Sequence, residues 1–251
     1  MKFKLISCEI FFREMEFLLE QSPHQIDVEF LQKGLHDIPT EEMLKRIQAQ
    51  VDAASEQNYD TIILGYALCN NGLVGLKARN TKLILTRAHD CITLFFGSRQ
   101  KYQDYFNAHP GTYFKTTGWI ERDYVSEELK PLSIPNQMGM DQTYEELVEQ
   151  YGEDNAEFLW EELCDTKKNY SQITFIEMGV EPDDRFETLS KQEAVERHWT
   201  YEKTAGNLTL IRRLLNGDWD NEDFLTVAPG SEVAASHNEN IVKSVPSAGQ
   251  A

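Results

Sequence analysis

The sequence predicts an α/β fold: a three-layer, doubly wound arrangement with a mostly parallel sheet and an inserted acidic helical region. Short apolar runs alternate with longer amphipathic segments, a pattern typical of parallel strands that are joined by covering helices. One stretch, about residues 140–168, is rich in Asp and Glu and has helical periodicity. We expect a single domain over residues 1–230, followed by a flexible tail over residues 231–251, where the composition becomes small and polar.

In the first half of the chain, four strands are predicted at short runs of apolar or alternating residues: 3–6, 26–31, 61–64 and 82–85. The second run alternates apolar and polar side chains, which places it toward an edge of the sheet. Helices are predicted where apolar residues recur every three or four positions: 11–20, a segment from residue 40, and 91–106. Thr40 can cap the middle helix, and Glu41 and Glu42 suit its positively polarised first turn.

In the second half, strands are predicted at runs of apolar or aromatic residues: 112–119, 173–178 and 224–227. The acidic region between the first two is expected to contain two helices over residues 144–167, broken near Gly152. A last helix over residues 207–215 should end at Asn216-Gly217, a pair typical of helix C-caps.

The composition excludes several classes of partner. The chain has 42 Asp and Glu against 24 Lys and Arg, a formal net charge of −18, which repels phosphate backbones and anionic lipids. We therefore expect neither nucleic acid nor a membrane surface as a partner. The first residues lack the apolar region of a signal peptide, and no stretch reaches the length of a membrane span, so we expect a cytosolic protein with reduced thiols.

Three of the four cysteines follow predicted strands. Cys8 comes after the first strand, Cys69 about one turn after the third, and Cys91 a similar distance after the fourth. If the strand order is the common 2-1-3-4, the carboxyl ends of these strands are neighbours about 4.8 Å apart, so their loops reach a common point. The amino ends of the following helices would then lower the thiol pKa and favour thiolates. Cys164 lies in a helical pattern and is expected to be packed or simply exposed.

The spacing of these cysteines points to a particular kind of metal site. Separations of 61 and 22 residues do not match a zinc finger, but three thiolates suit zinc or an iron–sulfur cluster with one open coordination position. The fourth ligand is left open between His89, Glu9, water and substrate. A redox pair without metal is less favoured, because the chain has no Cys-x-x-Cys motif.

Three further residues are candidates for proton transfer. His89 precedes Cys91 by two positions and could tune or ligate a metal or act as general acid or base, with Asp90 as a carboxylate beside it. The alternative for Asp90 is that it caps the next helix. Glu177, near the end of the strand at 173–178, joins the cysteines if that strand is parallel to theirs.

Four residues are candidates for contact with a cofactor: Asn71, Gly72, Gly97 and Ser98. The first two lie in the loop after Cys69, which has no phosphate-binding pattern. Gly97 interrupts a helical pattern, where glycine costs about 1 kcal/mol relative to alanine, so a helix break or a close approach is expected there. The chain has neither a GxSxG nor an HExxH motif, which excludes the common serine-hydrolase and zinc-protease sites.

Several motifs recur in a known family: LGYALCNNG at 64–72, RAHDCI at 87–92, GS at 97–98, GTYF at 111–114, GW at 118–119, FIEMG at 175–179, GDW at 217–219 and PG at 229–230. With these motifs, spread over most of residues 1–230, the chain resembles the uncharacterised family called domain of unknown function 1638. The family usually has glycine at the positions of Ala67 and Asn70, which reshapes the loop at Cys69. Its members often occur beside corrinoid-dependent one-carbon enzymes in anaerobes, so the resemblance implies methyl transfer as the first function to consider.

Three functions are consistent with these features. The first is a metal-dependent transferase in which Cys8, Cys69 and Cys91 hold zinc or an iron–sulfur cluster, and the open position activates a small substrate such as a thiol or methyl donor. The second is a non-catalytic protein that brings a metal or cofactor to a corrinoid-dependent methyltransferase, docking through its acidic helices. Corrinoid would enter only through such a partner. The third is a metal-free enzyme with Cys91 as nucleophile and His89 as base. The sequence leaves the oligomeric state open.

Overall fold

The computed structural model describes residues 1–236 and 238–247 of the chain. The strands β1 to β10 are, in order, Lys2–Cys8, Gln25–Leu31, Thr61–Gly65, Leu83–Thr86, Thr112–Lys115, Gln172–Glu177, Thr200–Ala205, Phe224–Val227, Ser231–Ala235 and Val242–Pro246. The helices α1 to α10 are Phe12–Leu19, Thr40–Ser55, Ile92–Phe96, Arg99–Ala108, Thr117–Glu121, Ile134–Gln137, Tyr144–Tyr151, Glu153–Leu159, Arg185–Glu196 and Thr209–Asn216. Short 3₁₀ helices lie at Glu9–Phe11, Lys33–His36 and Lys130–Leu132, and a π-helical turn at Trp160–Cys164.

The larger sheet has the strand order β2-β1-β3-β4-β8. Its first four strands are parallel, and β8 closes the edge antiparallel to β4. The order 2-1-3-4, the condition on which the cysteines were expected to meet, is therefore fulfilled. Register places Ile6 of β1 beside Leu64 of β3, and Ile63 of β3 beside Ile84 of β4, so the carboxyl ends of β1, β3 and β4 share one edge.

Helices cover both faces of this sheet, as the three-layer prediction requires. On one face, Met43 and Ile47 of α2 pack with Ile6 and Leu64. On the other face, α1 and α10 pack on the alternate residues of the same strands, including Phe3 and Leu5. Successive strand residues point to opposite faces, so these continuous apolar runs are buried on both sides, and the α/β fold class is confirmed.

A second, smaller sheet has the order β5-β6-β7, with all strands parallel. The strand predicted over residues 112–119 ends at Lys115, because the Thr116 hydroxyl accepts the Trp119 N–H at 3.1 Å and caps α5 instead. The strand predicted at 173–178 pairs within this smaller sheet rather than beside the cysteine-bearing strands. Gly118 of α5 packs closely against the backbone that follows β1. A Cβ at this position would lie 1.8 Å from the Ile10 carbonyl oxygen.

The acidic insert lies between β5 and β6 and contains helices, as predicted. Its two main helices, α7 and α8, are separated at Gly152, which adopts φ 79°. Thr143 and Glu146 form a capping box at the start of α7. Along these two helices only Leu147 and Ala156 are buried, so most of the insert faces solvent.

The C-terminal segment differs from its prediction. Residues 231–236 and 238–247 were expected to be a loose tail, but β9 and β10 form an antiparallel hairpin. Val233 and Val242 of the hairpin are buried against the larger sheet, and the Arg87 guanidinium donates hydrogen bonds to the carbonyls of Asn240 and Val242. Single valines in a polar segment are a weak sequence signal for a strand, yet in the structure these two valines pack on the hydrophobic core. Residues 248–251 lie outside the described residues.

The chain was expected not to cross a membrane. Within the part of the chain that the structure describes, no helix combines the length and the apolar character that a membrane span needs.

Candidate functional site

Cys8, Cys69 and Cys91 line one cavity at the carboxyl edge of the larger sheet. Cys8 is the last residue of β1, Cys69 lies in the loop after β3, and Cys91 is the N-cap of α3 after β4. The strand order places these three positions side by side. The cavity has a free volume of about 20 Å³, enough for one water molecule. The predicted meeting of the three cysteines is what the topology produces.

The backbone at Cys69 has an unusual conformation. Cys69, Asn70 and Asn71 adopt positive φ angles of 40°, 56° and 61°, a region that asparagine tolerates but that strains most other residues. The turn is fixed by hydrogen bonds from the Leu68 and Cys69 N–H groups to the carbonyls of Ala88 and His89, at 2.9 and 3.1 Å. The loops after β3 and β4 therefore hold each other, and the strain at Cys69 is concentrated where its thiol meets the cavity.

The thiols carry protons in this environment. Burial raises the pKa of Cys8 and of Cys69 to about 12, and it raises the pKa of Cys91 as well. At Cys91 the neighbouring Cys69 adds to the effect, because a charge on one thiol disfavours a charge on the next. The Ile10 N–H lowers the pKa of Cys8 without offsetting burial. The expectation that helix amino ends would produce thiolates is therefore wrong, because desolvation has the larger effect.

The thiols converge on a cavity without yet being arranged around a single point. Among residues 1–236 and 238–247, no three His, Cys, Asp or Glu side chains are grouped so that they could hold a metal ion as they stand. Thiolate ligands lie about 2.3 Å from zinc, so a metal ion would require these side chains to be arranged differently.

Two polar side chains on the cavity wall lack partners. The Tyr66 hydroxyl and the Gln32 amide oxygen are buried and make no hydrogen bond within the described chain. Buried polar groups are nearly always hydrogen-bonded in folded proteins, so such exceptions commonly mark a place where water or a ligand binds.

Asp90 and His89 have different surroundings. The Asp90 carboxylate accepts the Ile92 N–H at 3.0 Å and the Tyr102 hydroxyl at 2.8 Å, so it stabilises the first turn of α3 from the position before the N-cap, close to the alternative considered for it. His89 is exposed, and its ring lies outside the cavity wall. The His89 backbone and the Asp90 carboxylate therefore stabilise the loops that carry Cys69 and Cys91, whereas the His89 ring does not.

The comparison with known families supports the resemblance seen in the sequence. The family described as protein of unknown function (DUF1638) matches residues 30–215, which is more than half of the chain. The chain belongs to this family. No curated protein and no solved structure matches it.

The DUF1638 match includes Cys69 and Cys91, while Cys8 lies before its first matched residue. Two of the motifs on which the resemblance rests form the loops that carry Cys69 and Cys91, and a third, Gly118-Trp119, places an indole on the cavity wall. Three of these motifs therefore meet at the cavity although they are far apart in the chain.

The structure also brings Lys33 to the cavity, a residue that sequence reasoning missed. Lys33 follows β2 in a 3₁₀ helix and is 8% exposed. Its ammonium group lies 4.5 Å from the centre of the Trp119 ring and pairs with Asp123, and its N–H donates to Glu9 Oε1 at 2.8 Å. The available signal was its place at the carboxyl end of a parallel strand, the same signal that identified the cysteines. Glu9, a predicted fourth ligand, is thus already engaged beside Cys8.

Glu177 does not join the cysteines. Its strand, β6, belongs to the smaller sheet, and its exposed carboxylate lies 3.1 Å from the Lys203 ammonium group. The condition attached to its prediction, that the strand be parallel to those of the cysteines, fails because the two sets of strands form different sheets.

The four residues predicted to contact a cofactor shape the backbone near the site. Gly97 adopts φ 68° and ends α3, and a Cβ there would lie 2.6 Å from the Asn207 carbonyl oxygen, so it marks both a helix break and a close approach. The Ser98 hydroxyl caps α4. Asn71 is exposed in the Cys69 turn, and Gly72 is buried where a Cβ would lie 2.3 Å from the Met43 sulfur. Their positions outside the cavity wall do not test a contact with a large cofactor.

Proposed function

We propose that this protein binds a metal through Cys8, Cys69 and Cys91 and leaves one coordination position facing the cavity. The observation that carries the proposal is that three cysteines, each at or after the carboxyl end of a different strand, line one buried space. Zinc and an iron–sulfur cluster are the two candidates that three thiolates suit. The free volume of about 20 Å³ favours a single zinc ion.

An open metal position supports an enzymatic role. A bound zinc ion acts as a Lewis acid and can lower the pKa of a small substrate that joins it. The metal itself would also stabilise the cysteines as thiolates, so binding is coupled to loss of their protons. The resemblance to a family associated with one-carbon enzymes favours methyl or one-carbon transfer, with a small thiol or methyl donor as substrate.

The metal site is tested by titrating the anaerobically purified, metal-free protein with zinc. We expect about one zinc per chain, and an affinity at least about 100-fold lower in each of Cys8→Ser, Cys69→Ser and Cys91→Ser, because each removes one of three thiolate ligands. Cys164→Ser is the matched control: Cys164 lies in the insert beside the Gly139 carbonyl and should leave binding unchanged. Equal binding by Cys69→Ser, or binding of neither zinc nor iron, would remove the proposal.

A second candidate, a carrier that docks onto a partner enzyme, is supported by the surface of the acidic insert. Phe158, Trp160 and Leu163 are exposed there, Phe158 by 66%, among ten Asp and Glu side chains between residues 141 and 165. Exposed apolar groups of this kind commonly mark protein contacts. A second copy of this acidic chain is a poor occupant because like charges would meet, so the surface fits a basic, apolar partner.

The docking surface is tested with a short amphipathic helical peptide of leucine and lysine. We expect it to bind the protein with an affinity that falls as salt rises, and Phe158→Ser to weaken binding about tenfold by removing the most exposed aromatic contact of the insert. Val195→Ser removes another exposed apolar side chain, on α9, and should have no effect. If the two variants bind the peptide equally, the insert is not the contact surface.

A further inference from the structure

The strand β2 forms a free edge of the larger sheet. It pairs with β1 from Gln25 to Leu31, and among the described residues no second strand lies beside it. Edge strands expose a row of backbone groups that can pair with another chain, so proteins usually shorten them, interrupt them with proline or a bulge, or charge them. The opposite edge, β8, has four residues, whereas β2 has seven in unbroken register and contains no proline.

Every second residue of β2 turns its backbone N–H and carbonyl away from the sheet. The Gln25 N–H donates to the Met1 carbonyl at 3.1 Å, so the odd-numbered residues of β2 bond to β1 in this parallel ladder. The backbone groups of Ile26, Val28 and Phe30 therefore point outward, and their N–H groups have no hydrogen-bond partner in the described part of the chain. Such a row of unpaired groups is what an added strand pairs with.

The two faces of β2 differ in chemistry, because successive residues of a strand point to opposite faces. The even-numbered side chains are apolar and half-buried on the face that α1 covers. Asp27 and Glu29 lie on the other face, where they pair with Lys2 and Lys4 of β1 at 3.2 and 3.5 Å. Their side chains are still 41% and 44% exposed. A strand added to this edge would therefore meet apolar groups on one face and carboxylates on the other.

We propose that β2 is the docking site of an extended protein segment of alternating apolar and basic residues, which pairs with this edge as an additional strand. The apolar side chains of the segment continue the face formed by Ile26, Val28 and Phe30. Its Lys or Arg side chains lie beside Asp27 and Glu29, and cross-strand pairs of opposite charge stabilise a sheet. The formal net charge of −18 also attracts a basic segment.

A second copy of this chain fits the edge poorly. Two β2 strands related by a two-fold axis run antiparallel, and the pairing that aligns all their outward residues is centred on Val28. In that pairing, Asp27 of each copy lies opposite Glu29 of the other. Like charges directly opposite each other destabilise a sheet, and the net charge of each copy adds to the repulsion. The edge therefore suits a chain of opposite charge.

The test uses the full chain and a short fluorescent peptide of alternating valine and lysine. We expect saturable binding, with amide hydrogen exchange slowed at least about tenfold at Ile26, Val28 and Phe30, because their N–H groups gain partners. A peptide of the same composition, with its valines and lysines in separate blocks, carries the same charge but has no alternating faces. It should bind at least about tenfold more weakly. Equal binding of the two peptides overturns the proposal, because charge alone then accounts for the interaction.

Two variants of β2 test the backbone and the charges separately. Val28→Pro removes an outward N–H that the fold does not use, so the variant should fold and bind the alternating peptide at least about tenfold more weakly. Glu29→Lys should weaken binding of this peptide about fivefold and strengthen binding of an alternating valine–glutamate peptide by a similar factor. The second variant keeps the proposal testable if Val28→Pro folds poorly.

Glu196→Lys is the matched control for the charge reversal. Glu196 is exposed at the end of α9, so this variant has the same net charge as Glu29→Lys and should bind both peptides as the wild-type protein does. Unchanged affinity for the valine–lysine peptide in both β2 variants overturns the proposal. A wild-type dimer that Val28→Pro abolishes also overturns it, since a second copy then occupies the edge.

Discussion

Replacing Gly118 with alanine is expected to lower the free energy of unfolding by about 3 kcal/mol or more. The added Cβ would lie 1.8 Å from the Ile10 carbonyl oxygen, and because both atoms belong to backbone, the clash is relieved only if α5 moves away from the segment after β1. That movement also shifts the next residue, Trp119, which lines the cavity and covers Lys33. Denaturant unfolding measures the loss of stability, and indole fluorescence reports the displaced ring.

Gly34→Ala is the control for this substitution. Gly34 is also a buried glycine near the site, but the nearest atom to an added Cβ there is the end of the Leu129 side chain, at 3.1 Å, which can shift. We expect a loss of stability well below that of Gly118→Ala. If both substitutions have the same small effect, the contact between α5 and the Ile10 carbonyl does not hold the two sheets together.

The sequence predicted the place of the site because topology depends on patterns that a sequence displays. Continuous apolar runs identified the central strands, and parallel strands in the order 2-1-3-4 have neighbouring carboxyl ends. Cys8, Cys69 and Cys91 follow three of those strands, so their meeting required no knowledge of side-chain packing. Cys164, which follows none of them, lies in the insert.

The surroundings of the cysteines were harder to predict because they depend on long-range packing. Trp119 reaches the cavity from α5, a helix predicted to be strand, and Lys33 is buried by that indole. The thiol pKa was predicted with the wrong sign because helix ends are visible in a sequence, whereas the extent of burial is not. For the same reason, the hydrogen bonds that the Asp90 carboxylate accepts from Ile92 and Tyr102 could not be predicted, although a capping role had been considered beside a catalytic one.

The division of the strands between two sheets could not be predicted from the sequence either. Short strands such as β5, with four residues, carry no signal for which sheet they join. The alternation of strands and helices along the chain is the same for one continuous sheet and for two. Pairing of β6 with β5 and β7 therefore separated Glu177 from the cysteines, a result that hydrophobic patterns do not encode.

Glu14 is expected to make stability fall as pH rises. This residue of α1 is fully buried, neither carboxylate oxygen has a hydrogen-bond partner within the described residues, and burial raises its pKa to about 8. Arg13 lowers that pKa less than burial raises it, since its guanidinium is bound to Glu121 at 2.8 Å. A carboxyl group that binds its proton more tightly in the folded state stabilises the fold fully below its unfolded pKa, and the benefit is lost as pH rises through 8.

Glu14→Gln should therefore match the wild-type protein near pH 5 and exceed its free energy of unfolding by about 4 kcal/mol near pH 9, since each unit of pKa difference corresponds to about 1.4 kcal/mol. Urea unfolding at the two pH values measures the difference, and subtracting one protein from the other removes the contribution of the thiols. Glu16→Gln, on the exposed side of the same helix, should change stability by no more than about 0.5 kcal/mol at either pH. A gain for Glu14→Gln that is equal at pH 5 and pH 9 would show that Glu14 is ionised throughout. An ionised Glu14 would have to be paired with a positive charge in the folded protein, because a buried carboxylate without such a partner takes up a proton.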